Sequence, residues 1–459
     1  MIHTYSILDF GAVPDTDVPQ TESIQAAIDR CFAAGGGVVE IPCGTFCTGD
    51  IRLRSHITLR LCSGAVLRGS RSPADYFHHR ADSTEPLPPE WVTDCPVIPF
   101  SEIPNNDHYQ PDCPQYNYVR CPASRWNNAL IRAFDAEDIA IIGEEGAVID
   151  GTNCFDPLGE ESYRGPHGIT LFRCSNVRLD GYTIRNTGNW AHNLIQCENV
   201  QVSRVTVLAG HDGIHMSVCR NITIEDSEFR TGDDCIAGFA NVNTIVRACR
   251  INSSCSAFRF GGTNLLVTDC EIFGPGTYGF RGKLSRAEKE SGAPSPQSSG
   301  RHNMLVAFTY YADFSLPISE QPGNLRIEHC TIQNADRILH YNFSGNETWQ
   351  KHRPLADITF SDIQSTGILY PMNAYGSPDV PLTIVLREVS VRYSTHPESF
   401  LRLANFDRAV LERVTVSGLA PDTPLIETWS AGEITLRDVR SDGGAQVQAA
   451  DHPFFARSI

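Results

Sequence analysis

Asn176-Val-Arg-Leu, Asn199-Val-Gln-Val, Asn221-Ile-Thr-Ile, Asn243-Thr-Ile-Val and Asn264-Leu-Leu-Val are one local phrase written five times. The asparagines stand 23, 22, 22 and 21 residues apart, and Asn324-Leu-Arg-Ile repeats the phrase after an insertion. Each phrase alternates apolar and polar residues, the period of a half-buried strand. A second short alternating piece follows, as in Ser227-Glu-Phe and Cys270-Glu-Ile. A repeat of this length, built of short strands without a helix, predicts one coil of a solenoid. Leucine-rich repeats have a similar period, but the Leu-x-x-Leu-x-Leu frame is missing. The expected fold is all-β: a single-stranded right-handed parallel β-helix.

Working outward, one helix precedes the coils. Ile24, Ala27, Ile28 and Cys31 share a face at helical spacing, Thr21 is placed to cap it, and Gly35-Gly-Gly stops it. Its apolar face would cover the open end of the solenoid. Residues 1–70 are therefore expected to be the N-terminal cap and first coils. Residues 72–125 and 284–303 break the period and read as long loops. Residues 126–283 form the central coils and 304–459 the C-terminal ones, within a single domain over 1–459.

The 459 residues carry a formal charge of −17, with 41% hydrophobic residues and a mean hydropathy of −0.22. An acidic surface excludes non-specific binding to nucleic acid or anionic membrane, since both need a basic one. No stretch approaches the roughly 18 apolar residues of a membrane span. Met1-Ile2-His3-Thr4-Tyr5 lacks the basic and apolar regions of a signal peptide. A cytoplasmic protein is expected, or a secreted one if a leader has been removed. Of sixteen cysteines, Cys249, Cys270 and Cys330 each stand six residues after a repeat asparagine. They are expected to stack inward as reduced thiols, since free cysteine packs as a small hydrophobe. With no Cys-x-x-Cys pattern, neither metal nor cofactor is expected.

The same register locates the chemistry. Thirteen residues beyond successive asparagines stand Asp212, Asp234 and Ser256, and Asp233 precedes Asp234. Stacked coils would hold these positions about 4.8 Å apart. Aspartate also makes ordinary turns between strands. Three carboxylates in one patch, however, repel one another and force one to keep its proton. An acid held protonated beside an ionised one is the pair that glycosidic bond cleavage requires.

These residues resemble glycoside hydrolase family 28, the polygalacturonases and their relatives. Asp9-Phe-Gly-Ala, Ala34-Gly-Gly-Gly-Val-Val-Glu-Ile-Pro and Gly49-Asp-Ile-Arg-Leu are similar to that family's N-terminal region. Asn186-Thr-Gly-Asn-Trp190 resembles the segment before its catalytic coils. Asp212-Gly213 matches its Asn-Thr-Asp-Gly motif, Gly232-Asp-Asp-Cys-Ile-Ala its Gly-Asp-Asp motif, and Arg281-Gly-Lys283 its Arg-Ile-Lys motif. The resemblance implies that Asp233 is the general acid, that Asp212 and Asp234 activate water, and that configuration inverts. It implies that Arg281 and Lys283 bind a sugar carboxylate; Trp190, His211, Ser256 and Arg259 are the further candidates for substrate contact. The family's Gly-His-Gly motif is absent, since the chain reads Ser254-Cys-Ser-Ala there, with Arg259 following. His211, His215 and His302 are candidates to stand in, though each reads as an ordinary polar surface histidine. The expected activity is exo-acting hydrolysis of a pectin-type uronide. A uronide lyase and a non-catalytic carbohydrate-binding solenoid are the competing readings.

Overall fold

The computed structural model describes residues 3–76, 127–293, 301–311, 320–343 and 354–450. The expected loop over 72–125 therefore falls almost wholly outside the described residues. The chain divides into two compact units, each described by itself. The first holds described residues 3–76, 127–233, 277–293 and 301. The second holds 234–276, 302–311, 320–343 and 354–450.

In the first unit, coils of three short strands stack into three parallel ladders. One runs from His3–Ser6 through Gly37–Ile41, Ile57–Leu61, Glu137–Gly143, Ser175–Asp180 and Glu198–Ser203 to Arg220–Glu225. The second runs from Gly44–Thr48 to Glu228–Thr231, and the third from Ile51–Arg52 to Ile214–Ser217. Because alternate residues face inward, register alone builds the core. Val39, Leu59, Ile141, Leu179, Val202 and Ile224 lie one above another, all buried. Each such side chain contributes about 1.5–3 kcal/mol of burial.

In the second unit successive strands often merge across a corner, as in Ile236–Arg247 and Ser256–Thr268. These continue in parallel through Gly323–Gln333, Asp357–Ile368 and Leu382–Tyr393. Cys249, Cys270 and Cys330 are buried there, each thiol donating to the carbonyl two residues before it. A second set, Cys174, Cys197 and Cys219, stands two residues before repeat asparagines and is buried in the first unit. All thirteen cysteines among the described residues are free thiols.

The helix over Thr21–Ala33, α1, buries Ile24, Ala27, Ile28 and Cys31 against the terminal strands His3–Ser6 and Gly37–Ile41. Its cap differs from expectation. Gln20 is the N-cap, and the Thr21 hydroxyl instead accepts from the Gly49 amide (2.8 Å) and the Thr48 hydroxyl (3.1 Å), tying α1 to the coil beneath. The segment 284–303 also differs, since it contains a short helix, α2, over Arg286–Ser291. Ser285 and Glu288 close a reciprocal capping box on it. No helix among the described residues is long and apolar enough to cross a membrane.

The repeat asparagines explain the corners. Asn176, Asn199, Asn221, Asn243, Asn264 and Asn324 all have φ between 51° and 59°. Asparagine tolerates this left-handed conformation, which costs other residues roughly 1–2 kcal/mol. The side chains also join: Asn199 donates to Asn176 (3.1 Å) and Asn221 to Asn199 (3.1 Å) in the first unit. Asn264 donates to Asn243 (2.9 Å) and Asn324 to Asn264 (2.8 Å) in the second. Asn199→Ala loses both terms and should cost about 1–2 kcal/mol. Asn199→Gly, which keeps the backbone freedom, should cost less. Urea unfolding of the two variants checks the order, and equal losses would show that the corner conformation is not the cause.

One histidine occupies a core position. His192 pairs in register with Ile169 below and Ile214 above. It is fully buried and neutral: Nδ1–H donates to the Gly213 carbonyl and Nε2 accepts the Tyr182 hydroxyl, both at 2.9 Å. Burial lowers its pKa from 6.5 to about 4, against the smaller upward pull of the Gly213 bond. The unfolded chain takes up this proton below 6.5 and the folded chain only near 4. Stability from the neutral ring is thus whole above about pH 6.5 and drains away towards pH 4, by as much as about 3 kcal/mol. Unfolding free energies at about pH 7 and pH 4.5 should fall more steeply for the parent than for His192→Gln. Parallel falls would refute the assignment.

Candidate active site

In the first unit, the turn Gly210-His211-Asp212-Gly213 links strands Thr206–Ala209 and Ile214–Ser217. It is pinned from the coil below, where the Ala191 amide donates to the Asp212 carbonyl (2.9 Å). The Asp212 side chain is buried and accepts from His215 Nδ1 at 3.0 Å. His215 lies flat on Trp190, with ring centroids 3.8 Å apart and planes 1° from parallel. One face of Trp190 is thus occupied by His215.

Asp233 follows strand Glu228–Thr231, and the Thr231 hydroxyl holds its carbonyl at 2.6 Å. The preceding Gly232 is dictated by crowding. A Cβ there would stand 2.7 Å from the Gly210 carbonyl oxygen and closer still to that of Gly279. The glycine lets three chain segments converge, and Asp233 emerges beside them with its side chain 16% exposed.

The surroundings of Asp233 come from residues that no repeat announces. Arg164 Nη2 lies 4.0 Å from Asp233 Oδ2, and the same guanidinium meets Glu160 and Glu161 at 3.3 Å each. Glu160 is pushed well above the usual carboxylate range by burial. Arg164 pulls it down, while the charges of Glu161, Asp212 and Asp233 push it further up. Lys289, on α2, sets its ammonium 4.1 Å over the Tyr163 ring. Burial lowers its pKa, Glu161 raises it, and Arg281 and Arg164 lower it further.

His211 and His215 are buried, contrary to the surface positions expected of them, because Tyr163 and Trp190 cover them. His211 stacks on Tyr163 at 5.8 Å, and neither of its ring nitrogens has a hydrogen-bond partner among the described residues. Burial holds it neutral, reinforced by Arg164, Arg281, His167 and Lys289. Arg281 is buried, and its guanidinium donates to the Ala293 (3.1 Å) and Lys289 (3.3 Å) carbonyls, bracing α2. Lys283 is exposed. The ammonium beside this segment is that of Lys289, eight residues beyond Arg281, whose Nζ donates to the Gly282 carbonyl at 3.2 Å.

In the second unit, Asp234 is buried, and its Oδ1 accepts the Ser256 amide at 3.2 Å. Arg259 Nη1 lies 3.8 Å from its Oδ2. Ser256 is thus beside Asp234, as the thirteen-residue register predicts. His302 is turned to the Gly276 carbonyl (3.0 Å) and gives no sign of replacing the missing histidine.

Residues 119–256 match Glycosyl hydrolases family 28. The resemblance to that family holds. The matched stretch contains Asp212, Asp233, Asp234 and Ser256, and ends before Arg259, Arg281 and Lys283. A probable polygalacturonase of Vitis vinifera is 27% identical over 247 residues, 51% of this chain and 44% of the relative. An exo-poly-alpha-D-galacturonosidase of Dickeya chrysanthemi is 28% identical over 256 residues, 50% of this chain and 41% of the relative. The chain spans less than half the length of either relative. A hyperthermoactive exopolygalacturonase from Thermotoga maritima superimposes with a TM-score of 0.63 at 18% identity, covering 91% of this chain and 93% of that one. That likeness fixes the fold as the right-handed parallel β-helix expected.

The convergence at Gly232 is open to test. Gly232→Ala should destabilise the chain by about 1–3 kcal/mol through overpacking. Ala209→Gly, on the neighbouring strand, should cost about 1 kcal/mol or less. Thermal melts of both check this, and an unchanged Gly232→Ala midpoint would show that the backbones can separate freely.

Proposed function

We propose that the chain is an inverting O-glycosyl hydrolase that cleaves pectin-type oligo- or polysaccharide containing galacturonic acid, by exo attack. Asp233 is the general acid. Its proton passes to the glycosidic oxygen as the bond to the anomeric carbon breaks, while water attacks that carbon from the other side and gives its proton to Asp212 or Asp234.

The observation that carries this reading is the setting of Asp233. Beside this carboxylate an acidic protein places Arg164, with Lys289 and Arg281 one step further out, around Tyr163. Local cations let such a protein hold an anionic sugar next to a proton donor. Arg164 and Lys289 suit the uronate carboxylate better than the exposed Lys283. Exo attack is supported by the names of the relatives from Dickeya and Thermotoga. A lyase would need a basic group to remove a proton from the sugar ring, whereas acids dominate here. A purely binding solenoid would have no use for a set of acids.

Asp233→Asn keeps size and polarity but has no proton to transfer. Turnover should fall about a hundred- to ten-thousand-fold, a barrier increase of roughly 3–5 kcal/mol, with KM little changed. Released reducing sugar from pectic oligosaccharides measures it. Near-parent turnover in this variant would sink the assignment. An unsaturated, ultraviolet-absorbing product would point to the lyase, and saturable binding without new reducing ends to the binding protein.

A further inference from the structure

The family's histidine is missing, yet the position it would serve is occupied. We propose that Arg259 is the positioning residue of Asp234, its guanidinium holding this carboxylate ionised and oriented to take a proton from the attacking water. This rests on reading Asp234 as one of the water-activating acids.

Each Asp234 oxygen has its own neighbour. The Ser256 amide donates to Oδ1 at 3.2 Å, and Arg259 Nη1 stands 3.8 Å from Oδ2. A carboxylate 2% exposed loses most of its hydration. A cation within about 4–6 Å favours the charged form. Arg259 is such a cation. The Cys255 thiol lies within 4.8 Å, and Asp233, its chain neighbour, opposes ionisation.

Arg259 is itself held in place. Its guanidinium lies 4.2 Å from the centroid of the Tyr311 ring, a cation–π contact. Tyr311 is set edge-on to Phe239 at 5.5 Å and 83°. Within strand Ser256–Thr268, alternation puts Ala257 on the same face as Arg259. The small residues at 256 and 257 leave the approach to Asp234 open to a long side chain from two positions further on. The replacement also differs in kind. Histidine loses its charge near neutrality, while arginine keeps it at every working pH, so the support given to Asp234 does not titrate away.

The test uses the full chain with aspartate 13C-labelled at the carboxyl, the Asp234 signal being assigned by its loss in Asp234→Asn. In Arg259→Gln the Asp234 midpoint should rise by about one pH unit. Arg259→Lys, which keeps a cation, should recover at least half of that shift. In parallel, kcat on pectic oligosaccharides should fall about ten- to a hundred-fold in Arg259→Gln at the parent's optimum. Its acidic limb should move up with the carboxyl titration, since the base must now be deprotonated at higher pH. An unshifted Asp234 titration overturns the proposal, as does a raised KM with kcat unchanged, which would make Arg259 a substrate contact. A shifted titration in a parent that cleaves no pectic oligosaccharide supports the Arg259–Asp234 link and sinks the hydrolase reading instead.

Discussion

The corner asparagine is the constraint on which the rest of the structure depends. A coil of short strands closes only if the chain reverses sharply, and here it does so through left-handed residues. Asparagine accepts that conformation cheaply, and its amide reaches the asparagine of the neighbouring coil within each unit. The reward lies less in the hydrogen bonds, which are exposed and individually worth little, than in register. A slip of one residue would break the ladder and turn every inward valine and isoleucine to solvent.

Register in turn positions the acids. Asp212 and Asp233 sit in turns at strand ends, where side chains escape the alternation that buries their neighbours. Their backbones are still fixed, Asp212 by the Ala191 amide of the neighbouring coil and Asp233 by the Thr231 hydroxyl at the end of its own strand. A polar group at a strand end borrows the rigidity of the ladder without occupying the core. His192 shows the alternative, a polar ring inside the ladder, tolerable only because both nitrogens are satisfied and the ring stays neutral.

This division explains what was legible beforehand. The asparagine column, the inward thiols, the acid positions and the apolar face of α1 all follow from a period, and a period can be read from one sequence. The left-handed residues Arg204, Asp226, Ala248, Asp269 and His329 mark a second corner of mixed residue type, where aspartate recurs without forming a column, so little of it can be read in the sequence. Thr21 reads as a cap because capping is local, yet its hydroxyl is claimed by Thr48 and Gly49, contacts that only the fold creates. The helix α2 had a signal in Ser285-Arg-Ala-Glu288, hidden by polar surroundings that suggest a loop. Glu160, Tyr163, Arg164 and Lys289 had none. They lie outside the repeats and meet the acids only through chain folded over from 48 or more residues away.

Charge is where the distributed and the local pictures part. A net charge of −17 describes the field at a distance, and water and salt screen that field within about 10 Å. Beside Asp233 the balance is set by a few groups in close contact. Arg164 answers Glu160, Glu161 and Asp233 at once, and His211 is kept neutral so that it adds no further positive charge. In the absence of substrate the guanidinium is compensated by carboxylates of the chain itself. Under the proposed reading a uronate arriving there joins a network already negative, and Glu160, pushed towards its protonated form, relieves the repulsion by remaining neutral. A neutral carboxyl donates a hydrogen bond where an ionised one only accepts. The cluster can therefore take up an anionic sugar without expelling Arg164 from its own ion pairs, and an acidic protein need not change its overall charge to bind an acidic polymer.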